Sequence, residues 1–274
     1  MSDAALPDPA TFSSGEHGTV AGRRGVLRRA SDRSLDAWLT VSGTRRRIAH
    51  LADRSPQRDV LVAAIYGNES RCIGVALDEL RLSRHRVRIV SGSTDEFRGG
   101  KFENLNRLMA GQEAADWTIV VDDDVVLPRH FLDGFIALAE AFGFQLAQPA
   151  QTLASHAAWA SARRVPMSVA RRTNFVEIGP VTAFSRVVAA ELLPFPDLKM
   201  GWGLDLHWGA IAEERNWKLG VIDALPVRHE WRPVGGSYSS ADATAEAQRF
   251  LAERPYVHAA DAGKTLEEYR TVPR

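Results

Sequence analysis

The chain changes its pattern of apolar and polar positions near residue 59. Beyond that point, apolar runs of strand length at 60–65, 87–90 and 117–121 are separated by stretches with apolar residues at helical spacing, the first between Ser70 and Leu82. Strands that alternate with helices are typical of βαβ units. We therefore predict an α/β protein with a mixed, mostly parallel sheet, of which the first three strands form a Rossmann-like half.

The same pattern continues through the second half of the chain. Pro128 is expected to open a helix that ends near Gly143. Further strands are predicted at 144–149, 176–184 and 219–222, and further helices at 187–193 and 206–215.

The two ends of the chain lack this alternation. Residues 1–25 mix Pro, Gly, Ser and charge without apolar periodicity, which predicts a disordered tail. We expect an N-terminal helical extension over 26–58, one main domain over 59–240 with halves at 59–127 and 128–240, and a C-terminal helical extension over 241–274.

Composition excludes several classes of protein. The 274 residues contain 34 basic and 34 acidic side chains, so no global charge favours nucleic acid as a partner. A single cysteine excludes an internal disulfide framework and a cysteine-rich zinc site. No signal-peptide pattern and no apolar run of membrane-spanning length occurs, so we expect a cytoplasmic protein with at most a peripheral membrane contact. Arginines near the N-terminus suit either anionic lipid and phosphate groups or a solvated helical face: Arg23, Arg24, Arg28, Arg29, Arg45, Arg46 and Arg47.

Three aspartates, Asp122, Asp123 and Asp124, directly follow the third predicted strand. Ligands of open α/β sheets bind beyond the carboxyl ends of the strands. Alternate residues of a strand share a face, so Asp122 and Asp124 can point the same way. Adjacent carboxylates repel unless a cation compensates them, and a hard divalent ion does so. The alternative is an acidic turn that caps the helix near Pro128.

Polar residues also follow the first two strands. Tyr66, Asn68 and Glu69 form a turn with an aromatic ring and an amide, which suit a nucleobase. Asp95 lies just beyond the second strand, and the segment from Lys101 to Asn106 follows soon afterwards.

The segment Gly201-Trp202-Gly203-Leu204-Asp205 precedes a predicted helix. Its glycines allow a tight bend, and Trp202 offers a flat surface for a sugar ring. Asp205 is suited to deprotonating a hydroxyl group. The alternative is a helix-capping aspartate beside a core tryptophan.

His229 follows the predicted strand at 219–222. An imidazole that joins carboxylate oxygens suits Mn²⁺ better than Mg²⁺. A purely structural histidine is the alternative. Beyond it, Arg232 and the stretch Gly235-Gly236-Ser237-Tyr238 form a glycine-hinged polar loop that could close over a diphosphate. A plain surface loop is the alternative.

Taken in order, these segments resemble the inverting GT-A glycosyltransferases, especially the family-two group, over about residues 59 to 238. The resemblance implies a GT-A fold with a nucleotide-binding half at 59–127 and an acceptor half at 128–240. It also implies a metal-dependent enzyme that moves a sugar from a nucleotide-diphosphate sugar to an acceptor hydroxyl group. The resemblance implies that Asp205 is the catalytic base and that Asp122, Asp124 and His229 form a DxD-type metal site that prefers Mn²⁺. It implies acceptor binding by Trp202, Gly203 and Leu204, and a phosphate loop with Arg232 and Tyr238. The implied donor-binding residues are Tyr66, Asn68, Glu69, Asp95, Lys101, Asn106, Asp122 and Asp123.

The chain departs from the family pattern at two places. Family-two members often carry an acid after the second strand that holds a uridine base, but the matching stretch here is Val90-Ser91-Gly92-Ser93. The usual Glu-Asp pair of the acceptor motif is replaced by Leu204-Asp205. Nucleotidyl transfer and non-catalytic binding of a nucleotide or sugar are the alternative functions on such a fold. Neither the acceptor nor the oligomeric state follows from the sequence.

Overall fold

A mixed nine-stranded sheet forms the centre of the molecule. The computed structural model describes residues 6–14, 20, 22–67, 70, 72–229 and 239–274. The strands are β1 Asp59–Tyr66, β2 Arg86–Ser93, β3 Trp117–Val121, β4 Val125–Val126, β5 Leu146–Gln151, β6 Ala170–Thr173, β7 Val181–Ser185, β8 Leu219–His229 and β9 Thr265–Tyr269. The helices are α1 Gly22–Val41, α2 Thr44–Arg54, α3 Ile73–Arg81, α4 Thr94–Phe97, α5 Lys101–Met109, α6 Phe131–Phe142, α7 Arg186–Leu192, α8 Leu204–Arg215 and α9 Ser240–Leu251.

The strands run in the order β2-β1-β3-β7-β5-β8-β6-β9, and β4 pairs separately with β8. The predicted Rossmann-like half is confirmed, because β1 pairs in parallel with both β2 and β3. Parallel pairing recurs between β5 and β8. The other pairs, including β3 with β7 and β6 with β9, are antiparallel, so the sheet is mixed and its parallel part is concentrated in the first half.

β1 and β3 are buried on both faces, which explains their continuous apolar sequences, whereas β2 is an edge strand and only one of its residues is buried. Along β1, Val60 and Val62 pack into one core cluster with α3 and α6, while Ala63 joins the other. β3 repeats this division, with Ile119 in the first cluster and Val120 in the second. The strand ends are thereby held rigidly at one edge of the sheet.

Both chain ends differ from their predictions. Phe12 is only 4% exposed, and the backbone oxygen of Thr11 accepts a hydrogen bond from Ala259 at 2.7 Å, so described residues of the predicted tail pack against the C-terminal segment. After α9, residues 265–269 form β9 on the edge of the sheet instead of continuing a helical extension. β9 is mostly exposed and lacks an apolar alternation, and its pairing with distant β6 determines its conformation.

One helix and one strand near the candidate site residues begin later in the chain than predicted. The helix expected to open at Pro128 begins at Phe131 as α6. The strand expected over 176–184 begins only at Val181, so the residues before it form a loop. No helix among the described residues combines the length and apolar character needed to cross a membrane.

Candidate functional site

Asp122, Asp124 and His229 come together beyond the end of β3. Asp122 and Asp124 follow β3, while His229 ends β8 and lies opposite Val125 of β4. One ligand atom from each side chain lies within 4.8 Å of the other two. The Nε2 atom of His229 is 3.0 Å from Oδ1 of Asp124. The predicted grouping of these three side chains is therefore present.

Asp123 makes different contacts from Asp122 and Asp124, because the three aspartates lie in a turn between β3 and β4 rather than at the end of a strand. Oδ2 of Asp123 accepts a hydrogen bond from the backbone of Gly67 at 2.9 Å, and its carbonyl oxygen accepts one from the Ser70 hydroxyl at 2.6 Å. Asp123 thus fastens the turn after β1, and its donor contact stays a prediction. The aspartates do not cap α6 either, since His130 occupies the N-cap position.

The charges of this cluster are partly compensated within the protein. Burial by itself would lower the pKa of His229, but its hydrogen bond to Asp124 and the charges of Asp124 and Asp122 outweigh burial and raise the pKa to about 9. The Nζ atom of Lys101 lies 2.5 Å from Oδ1 of Asp122. Two cationic side chains therefore face two carboxylates.

The donor set fits a divalent metal ion. Nδ1 of His229 lies 3.1 Å from the carbonyl oxygen of His156, a contact that fixes the ring with Nε2 toward Asp124. Two carboxylates and an imidazole suit Mn²⁺, and the ring would lose a proton on binding an ion.

Asp205 lies in the first turn of α8 and is 7% exposed. Its Oδ1 atom accepts a hydrogen bond from the backbone of Leu206 at 2.9 Å. Burial raises the pKa of Asp205 to about 7, although hydrogen bonds from Leu206, Ile178, its own backbone and the Trp159 side chain act in the opposite direction. A carboxyl group with a pKa near neutrality is suited to general-base catalysis.

The loop at 177–180 connects Asp205 to the metal-ligand cluster. The backbone of Ile178 donates to Asp205. A Cβ atom on Gly179 would lie 3.3 Å from Oδ2 of Asp122, and the carbonyl oxygen of Pro180 accepts from the Asp122 backbone at 2.8 Å. Because these residues are consecutive, the predicted base and the predicted metal ligands belong to one site.

Glu177 is a residue of this site that the sequence analysis missed. It is 8% exposed, and its carboxylate accepts from Gln151 Nε2 at 2.8 Å and from the backbone of Ala158 at 3.1 Å. Burial, reinforced by the charge of Asp205, raises the pKa of Glu177 to about 8. The one available signal was an acid between Val176 and Ile178, in a stretch that was interpreted as a strand.

The segment that leads into Trp202, Gly203 and Leu204 is hydrogen-bonded to α9. The carboxylate of Glu246 accepts hydrogen bonds from the backbones of Lys199, Met200 and Gly201 at 2.8–2.9 Å. Gly201 has a φ of 78°, and a Cβ atom there would lie 2.1 Å from the ring of Phe102. The motif is therefore packed directly against α5.

The three residues predicted to bind an acceptor differ in exposure. Trp202 is half-buried against the second core cluster. Gly203 has a φ of 88° and is the N-cap of α8, a position at which glycine avoids the strain of a side chain. Leu204 is fully buried, so its side chain is part of the core and does not face an acceptor, contrary to the prediction.

The predicted donor-binding residues are also distributed unevenly. Lys101 contacts the cluster through Asp122, and Tyr66 is half-buried at the end of β1. The side chain of Asn106 exchanges two hydrogen bonds of 2.8 Å with the backbone of Phe195, which is a structural role instead of the predicted donor contact. Asp95 is exposed on α4. Four predicted residues lie outside the described ones: Asn68, Glu69, Arg232 and Tyr238.

The fold is that of the GT-A glycosyltransferases. It matches S. aureus TarS in complex with UDP-GlcNAc with a TM-score of 0.50 and 15% sequence identity, over 70% of this chain and 65% of the TarS chain. This chain therefore spans less than two thirds of that protein.

Two further solved structures are similar with lower scores. The mannosyltransferase PcManGT from Pyrobaculum calidifontis, in complex with GDP-Man and Mn²⁺, has a TM-score of 0.44 and 15% identity over 73% of this chain and 67% of its own. Glucosyl-3-phosphoglycerate synthase from Mycobacterium tuberculosis, in complex with Mn²⁺, UDP-Glc and glycerol 3-phosphate, has a TM-score of 0.44 and 17% identity over 74% and 80%. No family model and no curated protein sequence matches this chain.

Proposed function

We propose that this protein is a metal-dependent inverting glycosyltransferase that uses a nucleotide-diphosphate sugar. The observation that carries the proposal is the convergence of Asp122, Asp124 and His229 within 4.8 Å beyond the end of β3. The connection of this cluster to the buried carboxyl group of Asp205 supports the same conclusion.

Each group has a definite role in this proposal. Asp122, Asp124 and His229 would hold a divalent ion, for which Mn²⁺ is preferred. Such an ion would supply positive charge that stabilises the diphosphate of the departing nucleotide. Lys101 contributes a second positive charge beside Asp122.

Asp205 acts on the acceptor in this scheme. Its carboxylate removes the proton of the acceptor hydroxyl group, whose oxygen attacks the anomeric carbon of the sugar as the bond to the diphosphate breaks. A single displacement of this kind inverts the configuration at that carbon. The backbone of Ile178 and the indole of Trp159 orient the carboxylate by donating hydrogen bonds to it.

The test is turnover of a panel of nucleotide sugars, including UDP-GlcNAc, in the presence of Mn²⁺. We expect slow metal-dependent hydrolysis of at least one donor and a product of inverted configuration by NMR. Asp205→Asn should lose turnover by a factor of about 10² or more while it still binds the nucleotide, because only the general base is removed. Absence of both turnover and metal-dependent nucleotide binding across the panel would overturn the proposal, and a product of retained configuration would overturn the inverting mechanism.

A further inference from the structure

One side of α1 combines exposed arginines with exposed apolar side chains. We define this outer face by Arg23, Val26, Leu27, Arg29, Arg33 and Val41, which lie within less than half a turn of each other around the helix axis. Val26, Leu27 and Val41 are 64%, 68% and 88% exposed. The outer face contains no acidic residue.

The two acids of α1, Asp32 and Asp36, pair with groups outside the outer face. The carboxylate of Asp32 accepts hydrogen bonds of 3.0 Å from the backbones of Leu153 and Ala154. The buried side chain of Arg164 lies 3.6 Å from Asp32 and 2.9 Å from Asp36. Asp32 therefore fastens α1 to the main domain, and Asp36, whose side chain is 44% exposed, pairs with Arg164 and with Arg45 of α2; among the described residues neither acid forms an ion pair with the outer arginines.

The arginines of the outer face remain unneutralised. Within the described part of the chain, no ion pair joins Arg23, Arg29 or Arg33 to another side chain. From residue 22 to residue 54 the sequence has nine arginines against three aspartates, although the whole chain is neutral. This region is therefore a local concentration of positive charge.

The outer face is unfavourable for a helix that only meets water. Arg23 lies in the first turn, where the helix dipole disfavours a positive charge, and no acid occurs there. Val26 and Leu27 expose apolar surface one turn later. The positive charge of Arg23 and the exposed apolar side chains of Val26 and Leu27 both become favourable where a negatively charged surface adjoins an apolar one.

We propose that the outer face of α1 docks on the surface of an anionic phospholipid bilayer. Phosphate headgroups would contact the arginines, and Val26 and Leu27 would enter the boundary with the acyl chains. Duplex nucleic acid would match the charge but leave the apolar side chains without a partner. A second copy of the outer face would bring arginine against arginine.

The side of α1 opposite the outer face contacts the loop that leads to the candidate active site. Arg28, on the same helix, donates to the carbonyl oxygen of Leu153 at 3.4 Å, and the loop that begins there continues to His156, whose carbonyl oxygen contacts His229. If the proposed function holds, α1 would lie between the bilayer and this loop of the enzyme. Docking itself does not depend on that function.

The experiment is co-sedimentation of the full chain with phosphatidylcholine vesicles that contain or lack phosphatidylglycerol. We expect binding that requires phosphatidylglycerol and weakens with added salt. Replacing Arg23, Arg29 and Arg33 by Gln should lower the partition coefficient by a factor of about 10². The matched control replaces three exposed arginines elsewhere, Arg81, Arg215 and Arg270, by Gln, which changes the net charge equally and should leave binding unchanged.

A second pair of variants tests the apolar part. Val26→Ser with Leu27→Ser should weaken binding by a factor of about 10 or more. Leu82→Ser with Val187→Ser, at positions that are 72% and 61% exposed, should not. Circular dichroism and thermal unfolding establish that each variant is folded.

Two results would overturn the proposal. One is absence of binding to anionic vesicles. The other is an equal loss of binding in the control variants, which would mean that net charge alone acts. Binding of duplex DNA, or self-association, that is lost with the outer arginines while vesicles are not bound would assign the surface to that other occupant. None of these measurements needs a sugar donor, so their outcome is independent of a failure to find turnover.

Discussion

Asp205 has to lose its proton at a largely buried position. Burial raises its pKa to about 7, and four hydrogen-bond donors limit the rise. One of them is the side chain of Trp159, which packs against Phe175 with ring centroids 4.7 Å apart. The environment of the residue therefore sets the pH range in which it acts as a base.

Trp159→Phe tests this control directly. Phenylalanine retains the ring contact but removes the hydrogen bond to the ionised carboxylate, so the pKa of Asp205 should rise by about one unit. We expect the rising limb of turnover against pH, near pH 7 in the wild type, to move upward while the KM for the donor changes little. An unchanged limb would show that the indole does not act on Asp205.

Asp205 should also make the protein less stable as pH rises. A carboxyl group whose pKa is raised in the folded state favours the folded state below its unfolded value of 3.8, and this contribution is lost as pH rises through about 7. Asp205→Asn removes the effect. Its unfolding free energy relative to wild type should increase by up to about 1.4 kcal/mol per pH unit between roughly pH 4 and 7.

Chemical denaturation at several pH values measures that difference. Asp53→Asn, at an exposed position on α2, is the control and should follow the wild type at every pH. A pH-independent difference between Asp205→Asn and wild type would contradict the raised pKa.

At the scale of elements, α9 supports a loop far from it in sequence. Glu246 accepts three backbone N–H groups of the segment that leads into Trp202. Because hydrogen bonds to a charged acceptor contribute more than neutral ones, Glu246→Ala should lower the unfolding free energy by about 2–4 kcal/mol. Thermal or urea unfolding checks this, with the exposed Glu253→Ala as a near-neutral control. A loss no larger than that of the control would contradict a supporting role for α9.

The strands of the nucleotide-binding half could be predicted because their signal is local. β1 and β3 are continuous apolar runs in the core, and the edge strand β2 has a short apolar stretch at Val87, Ile89 and Val90. The strand predicted at 176–184 failed in its first half because the apolar residues Val176 and Ile178 pack against the second core cluster from a loop that enters the site. β9 was missed because its conformation comes from pairing with β6, and its own sequence is mostly exposed.

At the scale of the whole molecule, the order of the motifs along the chain predicted that Asp122, Asp124 and His229 would lie close together. The rule that site residues follow the carboxyl ends of strands brought Asp122, Asp124 and His229 into consideration, and the family resemblance joined them into one metal site. Sequence could not reveal Glu177, because its importance arises only when the loop folds against β5 and Asp205. Nor could it show that Leu204 faces the core, since that depends on the rotation of α8.

The most direct test of the account is calorimetric titration of the full chain with Mn²⁺, with and without a nucleoside diphosphate. We predict a single site that binds more tightly when the nucleotide is present, and that Asp124→Ala and His229→Ala each abolish. Asp78→Ala and His50→Ala, at exposed positions away from the cluster, should bind as the wild type does. Absence of Mn²⁺ binding, or equal affinity in the cluster variants and the controls, would contradict the assignment of Asp122, Asp124 and His229 as a metal-diphosphate site.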